Sequence, residues 1–278
     1  MTVDEWLRSA RARMTAAGNP DADSDARILA CGVMGAEPGQ LRLMSGLSLS
    51  DSEESELFGR LERRLSGEPT QYIQGEAWFM GLRFRVDERV LIPRQDTETL
   101  CEEALKRLPC RADVLDLCTG SGALAVAIAK YRPGACVTAT DISPDALTVA
   151  QENAILNGVR VRFIRGDGFA PVRGMRFDVI VCNPPYLSRQ DMGEISEEVR
   201  REPETALFGG EDGLDFYRRF SAELTEHLKP GGFAMFEAGM GQADAVLEIL
   251  KGAANAPKMG TIQDLNGVDR VIWIRSAQ

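Results

Sequence analysis

The segment Asn183-Pro184-Pro185-Tyr186 combines the residue types best suited to chemistry in this 278-residue chain. Two successive prolines fix φ and remove two backbone N–H donors, so the carbonyls of the segment stand free as acceptors. The side-chain oxygen of Asn183 is a further acceptor, and the ring of Tyr186 offers a wall for a flat group. Acceptors that are held rigidly together suit an NH₂ group, which offers two donors. The segment predicts a site for a planar amino or amide group, where a bare Pro-Pro would predict only a stiffened loop.

A second segment suited to chemistry is the glycine-rich run Asp116–Gly122. Gly120 and Gly122 let the backbone turn sharply and approach a ligand that a Cβ atom would exclude. Asp141 ends the next predicted strand, where a carboxylate can accept both ribose hydroxyls of a nucleoside cofactor. The run can be read as the dinucleotide fingerprint of a dehydrogenase. It also resembles the D-x-G-x-G-x-G loop of S-adenosylmethionine methyltransferases, with Cys118 at the first glycine. Spacing leaves both readings open, and the Asn-Pro-Pro-Tyr segment favours the second.

Both segments follow predicted strands that alternate with helices. The strands are predicted at Val114–Leu117, Cys136–Asp141, Val161–Arg165, Asp178–Cys182, Phe233–Glu237, Thr261–Leu265 and Arg270–Ile274. The helices are predicted at Ala123–Tyr131, from Ser143-Pro144 to Asn157, at Gly213–Leu228 and at Ala243–Lys251. Such alternation predicts an α/β fold with a mostly parallel sheet covered on both faces. The short Asn266-Gly267 connection predicts that the last two strands are antiparallel.

The first 73 residues are predicted to form a separate helical domain. Thr2 with Glu5, and Ser50 with Glu53, have the spacing of capping boxes at helix starts. Because no catalytic constellation occurs there, the domain either recognises a partner or only packs. Residues 74–90, where the apolar period shifts towards two, predict a β-hairpin linker. Residues 91–278 are then expected to form the catalytic domain.

Composition excludes several classes of function. The net charge of −10 argues against a protein that holds nucleic acid mainly through phosphates, since that mode needs clustered Lys and Arg. The single histidine, His227, excludes sites built from several histidines, and its neighbours are typical of a solvated helix end. The longest uncharged run, Leu117–Ala129, is too short to span a membrane. Six cysteines without a C-x-x-C pair predict a reduced, cytoplasmic chain.

The Asn-Pro-Pro-Tyr signature resembles that of methyltransferases acting on planar amino or amide nitrogens, including DNA adenine-N6 and protein glutamine-N5 methyltransferases. Other segments are similar to one of these families, the release-factor glutamine methyltransferases. They are Gly67–Gly75, Phe79–Leu82, Leu91–Glu98, Glu202-Pro203, Ala206-Leu207 and Gly210–Asp215. The resemblance covers nearly the whole chain. It implies a Rossmann-like seven-stranded methyltransferase sheet with an antiparallel last strand, preceded by the helical domain and the hairpin.

The resemblance also implies the ligands and the residues that hold them. S-adenosyl-L-methionine is the expected cofactor, no metal is expected, and peptide chain release factors, through the glutamine of their Gly-Gly-Gln motif, are the expected partners. Asn183 and the Pro184 carbonyl would hold the target amide, with Pro185 and Tyr186 completing the catalytic and substrate-binding segment. The implied cofactor-binding residues are Cys118, Thr119, Gly120, Ser121, Gly122, Asp141, Asp167, Gly168 and Asn183.

Two further expectations concern the walls of the site. Phe79 and Arg94 resemble parts that close the active site and are expected to bind substrate. The family often has a large residue at the position of Gly168, so packing against adenine is expected from the backbone or from a neighbour such as Phe169. The polar stretch Ser188–Glu204 is either a solvated loop or a substrate-covering lid.

Three rival functions follow from the same motifs. A DNA adenine methyltransferase should carry a target-recognition segment and a basic cleft, which this acidic chain does not offer; neither nucleic acid nor a membrane is therefore an expected partner. A glutamine methyltransferase of a ribosomal protein would share the catalytic motif, so substrate choice would lie in the helical domain and the hairpin. A binding module that lost activity is disfavoured because Asn183, Gly120, Gly122 and Asp141 are intact.

Overall fold

The computed structural model describes residues 1–254 and 258–277, and the chain divides into two units. The smaller unit comprises Met1–Gly75 together with Ser196–Arg201, and the larger comprises Glu76–Ile195 and Glu202–Gln278. No helix in the described ranges is both long enough and apolar enough to cross a membrane.

The smaller unit is helical. Its helices are α1 (Val3–Ala16), α2 (Ala22–Met34), α3 (Pro38–Leu41), α4 (Asp51–Leu65) and α5 (Thr70–Gln74). The capping boxes expected at Thr2 and Ser50 are both present, with Glu5 and Glu53 reaching back to the cap amides. The apolar faces of α1, α2 and α4 meet in a core around the buried Trp6. Hydrophobic burial of these faces, rather than helix propensity, stabilises helices of this length.

Arg64 pairs with a buried carboxylate inside the smaller unit and also links residues 196–201 to its helices. The Arg64 guanidinium donates to Asp25 Oδ2 at 2.6 Å and to Glu198 Oε2 at 3.0 Å. Thr70 Oγ1 donates to the other oxygen of Asp25 at 2.9 Å. The side chains of Arg64 and Asp25 are each only 9% exposed, so solvent screens this pair little. A segment far along the chain thereby belongs to the helical unit.

The larger unit contains a two-stranded hairpin and a seven-stranded mixed sheet. Its strands are β1 (Glu76–Phe79), β2 (Leu82–Arg85), β3 (Asp113–Leu117), β4 (Cys136–Asp141), β5 (Arg162–Arg165), β6 (Phe177–Cys182), β7 (Leu228–Glu237), β8 (Lys258–Gln263) and β9 (Asp269–Arg275). Strands β1 and β2 form the predicted hairpin. The other seven are ordered β5-β4-β3-β6-β7-β9-β8. The first five of these are parallel, and β9 pairs antiparallel with both β7 and β8. The predicted fold class is confirmed.

Helices cover both faces of this sheet. They are α6 (Gln95–Arg107), α7 (Ala123–Tyr131), α8 (Pro144–Leu156), α9 (Arg189–Glu194), α10 (Glu204–Leu207), α11 (Asp215–Leu224) and α12 (Ala243–Ala254). Successive residues of β3 point to opposite faces: Val114 packs in the core with α6 and α7, whereas Leu115 packs in the core with α11 and α12. Two hydrophobic layers therefore hold the strand ends, and the loops after them, in fixed positions.

Three local expectations differ from the structure. Helix α6 was not predicted, although its buried residues Thr97, Leu100, Cys101 and Ala104 have helical spacing. The stretch 188–204 is not one irregular loop, because Ser188 caps the short helix α9 through a capping box with Asp191. His227 is not at a solvated helix end: it is 4% exposed, stacks on Phe169 with centroids 4.5 Å apart, and its Nδ1 lies 2.9 Å from the Met175 carbonyl oxygen.

Candidate active site

The loops after β3, β4 and β6 line one cavity of about 520 Å³ in the larger unit. The carboxyl ends of parallel strands, on either side of the point where strand order reverses, are where open α/β sheets bind ligands. The lining includes most residues expected from sequence: Arg94, Cys118, Thr119, Gly120, Ser121, Asp141, Asp167, Gly168, Asn183 and Pro185. The glycine-rich loop (residues 116–122) and the segment of residues 183–186, here called the target segment, therefore both contribute to one cleft.

The glycine-rich loop turns through left-handed backbone conformations. Cys118, Gly120 and Gly122 have φ values of 56°, 53° and 80°. The turn is closed by the Gly122 amide, which donates to the Thr119 carbonyl at 2.8 Å. A Cβ on Gly122 would lie 3.0 Å from Ala150 Cβ, so this glycine serves the close approach of α7 and α8 rather than the cavity wall. Cys118 adopts a glycine-like conformation although it carries a side chain.

Two carboxyl groups support this loop, one fully buried and one half-buried. Asp116 is fully buried, and its Oδ2 accepts from Thr119 Oγ1 at 2.6 Å and from the Ala125 amide at 3.1 Å. Asp141 accepts from the Gly120 amide at 2.9 Å and from the Ser143 amide at 2.9 Å. Burial raises the pKa of Asp116 to about 7 and also raises the pKa of Asp141. Asp141 therefore presents a pre-oriented carboxyl group at the cavity wall.

The far wall of the cavity is shaped by Gly168 and Phe220. A Cβ on Gly168 would lie 1.8 Å from Phe220 Cε1, so the phenyl ring fills the space where a side chain at residue 168 would stand. Phe220 lines the cavity, as does Asp167, which accepts from the Arg219 guanidinium at 2.5 Å. Phe169, the expected neighbour for adenine, is 1% exposed and is not part of this lining. The expectation for Phe169 was wrong because its ring packs on His227 beneath the surface.

The target segment presents acceptors. The Asn183 side-chain NH₂ donates to Thr97 Oγ1 at 3.0 Å, and within the described ranges no group donates to its Oδ1. Pro184 is buried and is not among the residues that line the cavity, and no hydrogen bond reaches its carbonyl from the residues that the structure describes. Both oxygens are thus left without an internal partner, as a site for an NH₂ group requires.

Tyr186 ties the target segment to β7 and the loop after it. Its hydroxyl donates to Glu237 Oε1 at 3.2 Å, and its carbonyl accepts from Gln242 Nε2 at 2.9 Å. Burial raises the pKa of this phenol. The ring does not line the cavity, although an aromatic wall was expected there. In this structure Tyr186 acts as an anchor of the segment.

The two residues expected to close the site are placed differently. Arg94 lines the cavity and is ion-paired with Glu202, whose other oxygen accepts from the Ile92 amide at 2.9 Å. Phe79 is 1% exposed and packs edge-on against Phe84, with ring centroids 6.1 Å apart, in the hydrophobic core. Phe79 does not line the cavity, so the structure gives it a packing role and not a place among the site residues.

Three residues of the site were missed by sequence reasoning: Thr97, Glu237 and Phe220. Thr97 lies in the unpredicted helix α6, Glu237 is the last residue of β7, and Phe220 lies on α11. Acidic residues in the first turn of α6 and basic residues in its last turn were the signal for that helix. Nothing in the local sequence around Phe220 signals a cavity wall, because its position depends on the absence of a side chain at residue 168.

The cavity fits a nucleoside cofactor on two observations. Its volume of about 520 Å³ lies in the range of small-molecule sites, roughly 300–1,000 Å³. Asp141 lines the cavity, and its carboxyl oxygens can accept hydrogen bonds from the hydroxyl groups of a nucleoside. Among the described residues, no group of three or more His, Cys, Asp or Glu side chains is arranged to hold a metal ion.

Comparison with known proteins places both units. The family described as "Methyltransferase small domain" matches residues 95–211, and the "PrmC N-terminal domain" matches residues 5–75. The release factor glutamine methyltransferase of Geobacter sulfurreducens is 42% identical over 272 residues, covering 98% of this chain and 95% of that protein. The protein of the same name from Deinococcus radiodurans is 38% identical, covering 100% of this chain and 99% of that one.

A solved structure shares the fold. The crystal structure of a methyltransferase from Pyrococcus furiosus superposes with a TM-score of 0.54 at 17% identity, covering 82% of this chain and 100% of that one. At this identity the likeness concerns the fold alone.

Proposed function

The chain belongs to the release factor glutamine methyltransferase family, and on this premise we propose that it methylates the glutamine of the Gly-Gly-Gln motif in peptide chain release factors. The methyl group is transferred from S-adenosyl-L-methionine to the side-chain amide nitrogen, N5. The observation that carries the proposal is a pair of acceptors without a hydrogen-bond donor among the described residues. They are Oδ1 of Asn183, a residue that lines the cleft together with the glycine-rich loop, and the carbonyl of the neighbouring Pro184.

The cofactor is proposed to occupy the cleft lined by the loops after β3, β4 and β5. The backbone of residues 118–122 would run alongside the cofactor, and Asp141 would accept from its ribose hydroxyls. Asp167 and Gly168 would border its base. Phe220 would provide the aromatic surface for adenine in place of a side chain at residue 168. When bound, S-adenosylmethionine supplies a methyl group on a positively charged sulfur.

The target segment does the remaining work by orientation. An amide nitrogen is a poor nucleophile because its lone pair is delocalised into the carbonyl. Asn183 Oδ1 and the Pro184 carbonyl would each accept one of its hydrogens, which favours a pyramidal nitrogen with its lone pair directed away from both acceptors. These acceptors would also stabilise the positive charge that develops on the nitrogen. No strong base is needed before transfer, because the methylated nitrogen is the more acidic one and releases its extra proton to water afterwards.

Recognition of the rest of the substrate is proposed for other parts of the chain. The helical unit, which matches the PrmC N-terminal family, would contact the release factor outside its Gly-Gly-Gln motif. Arg94, which lines the cavity, would contact the substrate near the target glutamine. We propose that the reaction takes place in the cytoplasm, which agrees with six cysteines that are all free thiols.

The test is incubation of the protein and S-adenosylmethionine with a release factor, a large-subunit ribosomal protein and duplex DNA in parallel. Mass spectrometry of the digested proteins should find one added methyl on the Gly-Gly-Gln glutamine of the release factor. The acidic chain should leave the DNA unmodified. Methylation of the ribosomal protein alone would indicate a glutamine methyltransferase of ribosomal proteins instead. Methylated adenine in the DNA would overturn the proposal.

A further inference from the structure

Thr97 lies at the junction between the target segment and a buried carboxylate. Its Oγ1 accepts from the Asn183 NH₂ at 3.0 Å and donates to Glu237 Oε2 at 2.6 Å. Thr97 is 5% exposed and Glu237 is fully buried. The three residues are brought together from helix α6, from the end of β6 and from the end of β7. A continuous chain of hydrogen bonds therefore runs from the acceptor amide into the interior.

The direction of this chain follows from the chemistry of its inner end. An ionised carboxylate accepts hydrogen bonds and donates none. One oxygen of Glu237 already receives the Tyr186 hydroxyl at 3.2 Å, and the other receives the proton of Thr97. Thr97 then has only lone pairs to offer Asn183, so it must face the NH₂ end of that amide. The Oδ1 end is left free to act as an acceptor.

The opposite orientation would disable the site. If Thr97 used its proton on Asn183, the amide would turn over and present its own NH₂ group. Two NH₂ groups facing each other have four hydrogens and no acceptor between them. The target nitrogen would then lose one of the two acceptors that hold it, and buried polar groups would be left unpaired.

We propose that Thr97 and Glu237 are positioning residues that fix the Asn183 amide with its oxygen towards the target nitrogen. This inference rests on the proposed methyl transfer and adds to it the two residues that decide which end of the Asn183 amide faces the target nitrogen. Burial raises the pKa of Glu237, and Arg270 on the neighbouring strand opposes that rise. Arg270 also pairs with Asp96 at 3.1 Å and with Asp264 at 3.3 Å. With Glu237 ionised, the inner end of the chain is an acceptor.

The test compares Thr97→Val with Thr97→Ser. Valine keeps the shape of threonine and removes the hydroxyl, whereas serine keeps the hydroxyl. With a release factor as substrate at pH 8, Thr97→Val should lower kcat about 10-fold or more, as when an oriented polar contact to the reacting group is lost. Thr97→Ser should stay within about 3-fold of the wild type, and KM for the cofactor should change little in both.

A double-mutant cycle separates positioning from a purely structural role. If Thr97 acts through Asn183, then adding Thr97→Val to Asn183→Ala should change the remaining kcat by less than about 2-fold. An equal loss in both backgrounds, or the same kcat for the serine and valine variants, would overturn the inference. Thermal unfolding of each variant identifies any loss that comes from misfolding.

A second readout does not depend on turnover. The side-chain NH₂ resonance of Asn183 can be assigned in an NMR spectrum by its disappearance in Asn183→Ala. It should shift and exchange faster with solvent in Thr97→Val but not in Thr97→Ser. If the wild type methylates no release factor but the Asn183 resonance responds to Thr97→Val, the proposed function is refuted and the positioning role of Thr97 stands. If the wild type is active but Thr97→Val leaves the Asn183 resonance unchanged, only the positioning role of Thr97 is refuted.

Discussion

The cofactor loop and the target segment lie in one cleft but are held by different means. In the loop, Asp116 is bonded to Thr119 and Ala125, three and nine residues away, and Asp141 to the Gly120 amide, 21 residues away. The target segment is bonded to Thr97, Glu237 and Gln242, which are 86, 51 and 56 residues from their partners. The loop is supported from within 32 residues along the chain, the most distant donor being Asn153 Nδ2, which donates to the Ser121 carbonyl at 2.9 Å. The target segment depends on three separate elements of the sheet and its covering helices.

This difference predicts that the two regions can be damaged separately. Backbone amides, glycines and nearby carboxyl groups shape the loop, so changes there should act on cofactor affinity. Side chains from distant elements orient the target segment, so changes there should act on turnover with the cofactor bound. Single substitutions in each region test this separation.

Asn183→Ala should have the largest effect. Removing one oriented acceptor from the reacting nitrogen should lower kcat roughly 10²-fold or more. Because the cofactor loop does not depend on this side chain, the affinity for S-adenosylhomocysteine should change less than about 3-fold. Single-turnover methylation and isothermal calorimetry provide the two measurements. Asn266→Ala, in the exposed turn between β8 and β9, is the matched control. A loss of cofactor affinity as large as the loss of turnover would mean that the two regions are not separable.

Asp141→Asn should show the reverse pattern. A charged hydrogen bond contributes about 1.5–3 kcal/mol, so the affinity for S-adenosylhomocysteine should fall about 10- to 100-fold. At saturating cofactor, kcat should fall much less than in Asn183→Ala. Asp145→Asn, at the exposed start of α8, is the control for the change in charge. Unchanged cofactor affinity in Asp141→Asn would remove this carboxyl group from the cofactor site.

The same difference explains how far sequence reasoning reached. The β3 loop and Asp141 could be placed because a strand, a glycine-rich turn and a helix N-terminus follow one another along the chain. Order along the chain also gave the parallel sheet with antiparallel strands at its end, since βαβ units and a short last connection allow few arrangements. Such features can be predicted from the order of consecutive elements along the chain.

The supports of Asn183 could not be found in this way. Thr97 and Glu237 become neighbours only once α6 packs on the sheet and β7 pairs with β6. Phe79 shows the opposite error. It lies in a segment that resembles part of the site, but its ring packs edge-on against Phe84 in the core. Phe169 and Phe220 differ in the same respect: chain proximity to Gly168 favoured the first, and the fold brings the second against it.

Phe220→Leu should have a smaller effect, confined to the cofactor side. Leucine keeps most of the apolar volume but loses the flat ring, and stacking of a base on an aromatic ring contributes about 1–3 kcal/mol. With the lower value, affinity for S-adenosylhomocysteine should fall about 5-fold while kcat at saturation is retained. Phe233→Leu, on β7 against Trp273, provides the control. An equal response of both variants would show that packing, and not contact with adenine, is being measured.

Gly168→Leu examines the same wall from the opposite side. The new side chain would meet Phe220 and would also need the left-handed backbone of residue 168, so the single variant should unfold at a lower temperature. Adding Phe220→Ala should recover part of the thermal stability, because it removes the clash and leaves only the backbone strain. Additive losses in the double variant would mean that the ring and residue 168 do not compete for the same space.

The smallest effect on activity is expected at Asp116, where the consequence is pH-dependent stability. Its pKa rises from 3.8 in the unfolded chain to about 7 in the folded, cofactor-free protein, because burial disfavours the charge. Between these two values the folded state binds more protons than the unfolded state, so its stability falls as pH rises. Below about pH 3.8 and above about pH 7 the contribution of this group is constant.

Asp116→Asn removes that titration. The variant should therefore gain stability relative to the wild type as pH is raised from 4 to 8, by an amount of the order of 1 kcal/mol or more. Differential scanning calorimetry across this range, with Asp145→Asn for comparison, measures the difference. A difference that does not change with pH would show that Asp116 carries the same charge in both states. In that case the unpartnered Oδ1 under the glycine-rich loop would belong to an ordinary ionised carboxylate, and the local support of the cofactor loop would be electrostatic rather than a neutral hydrogen-bonded group.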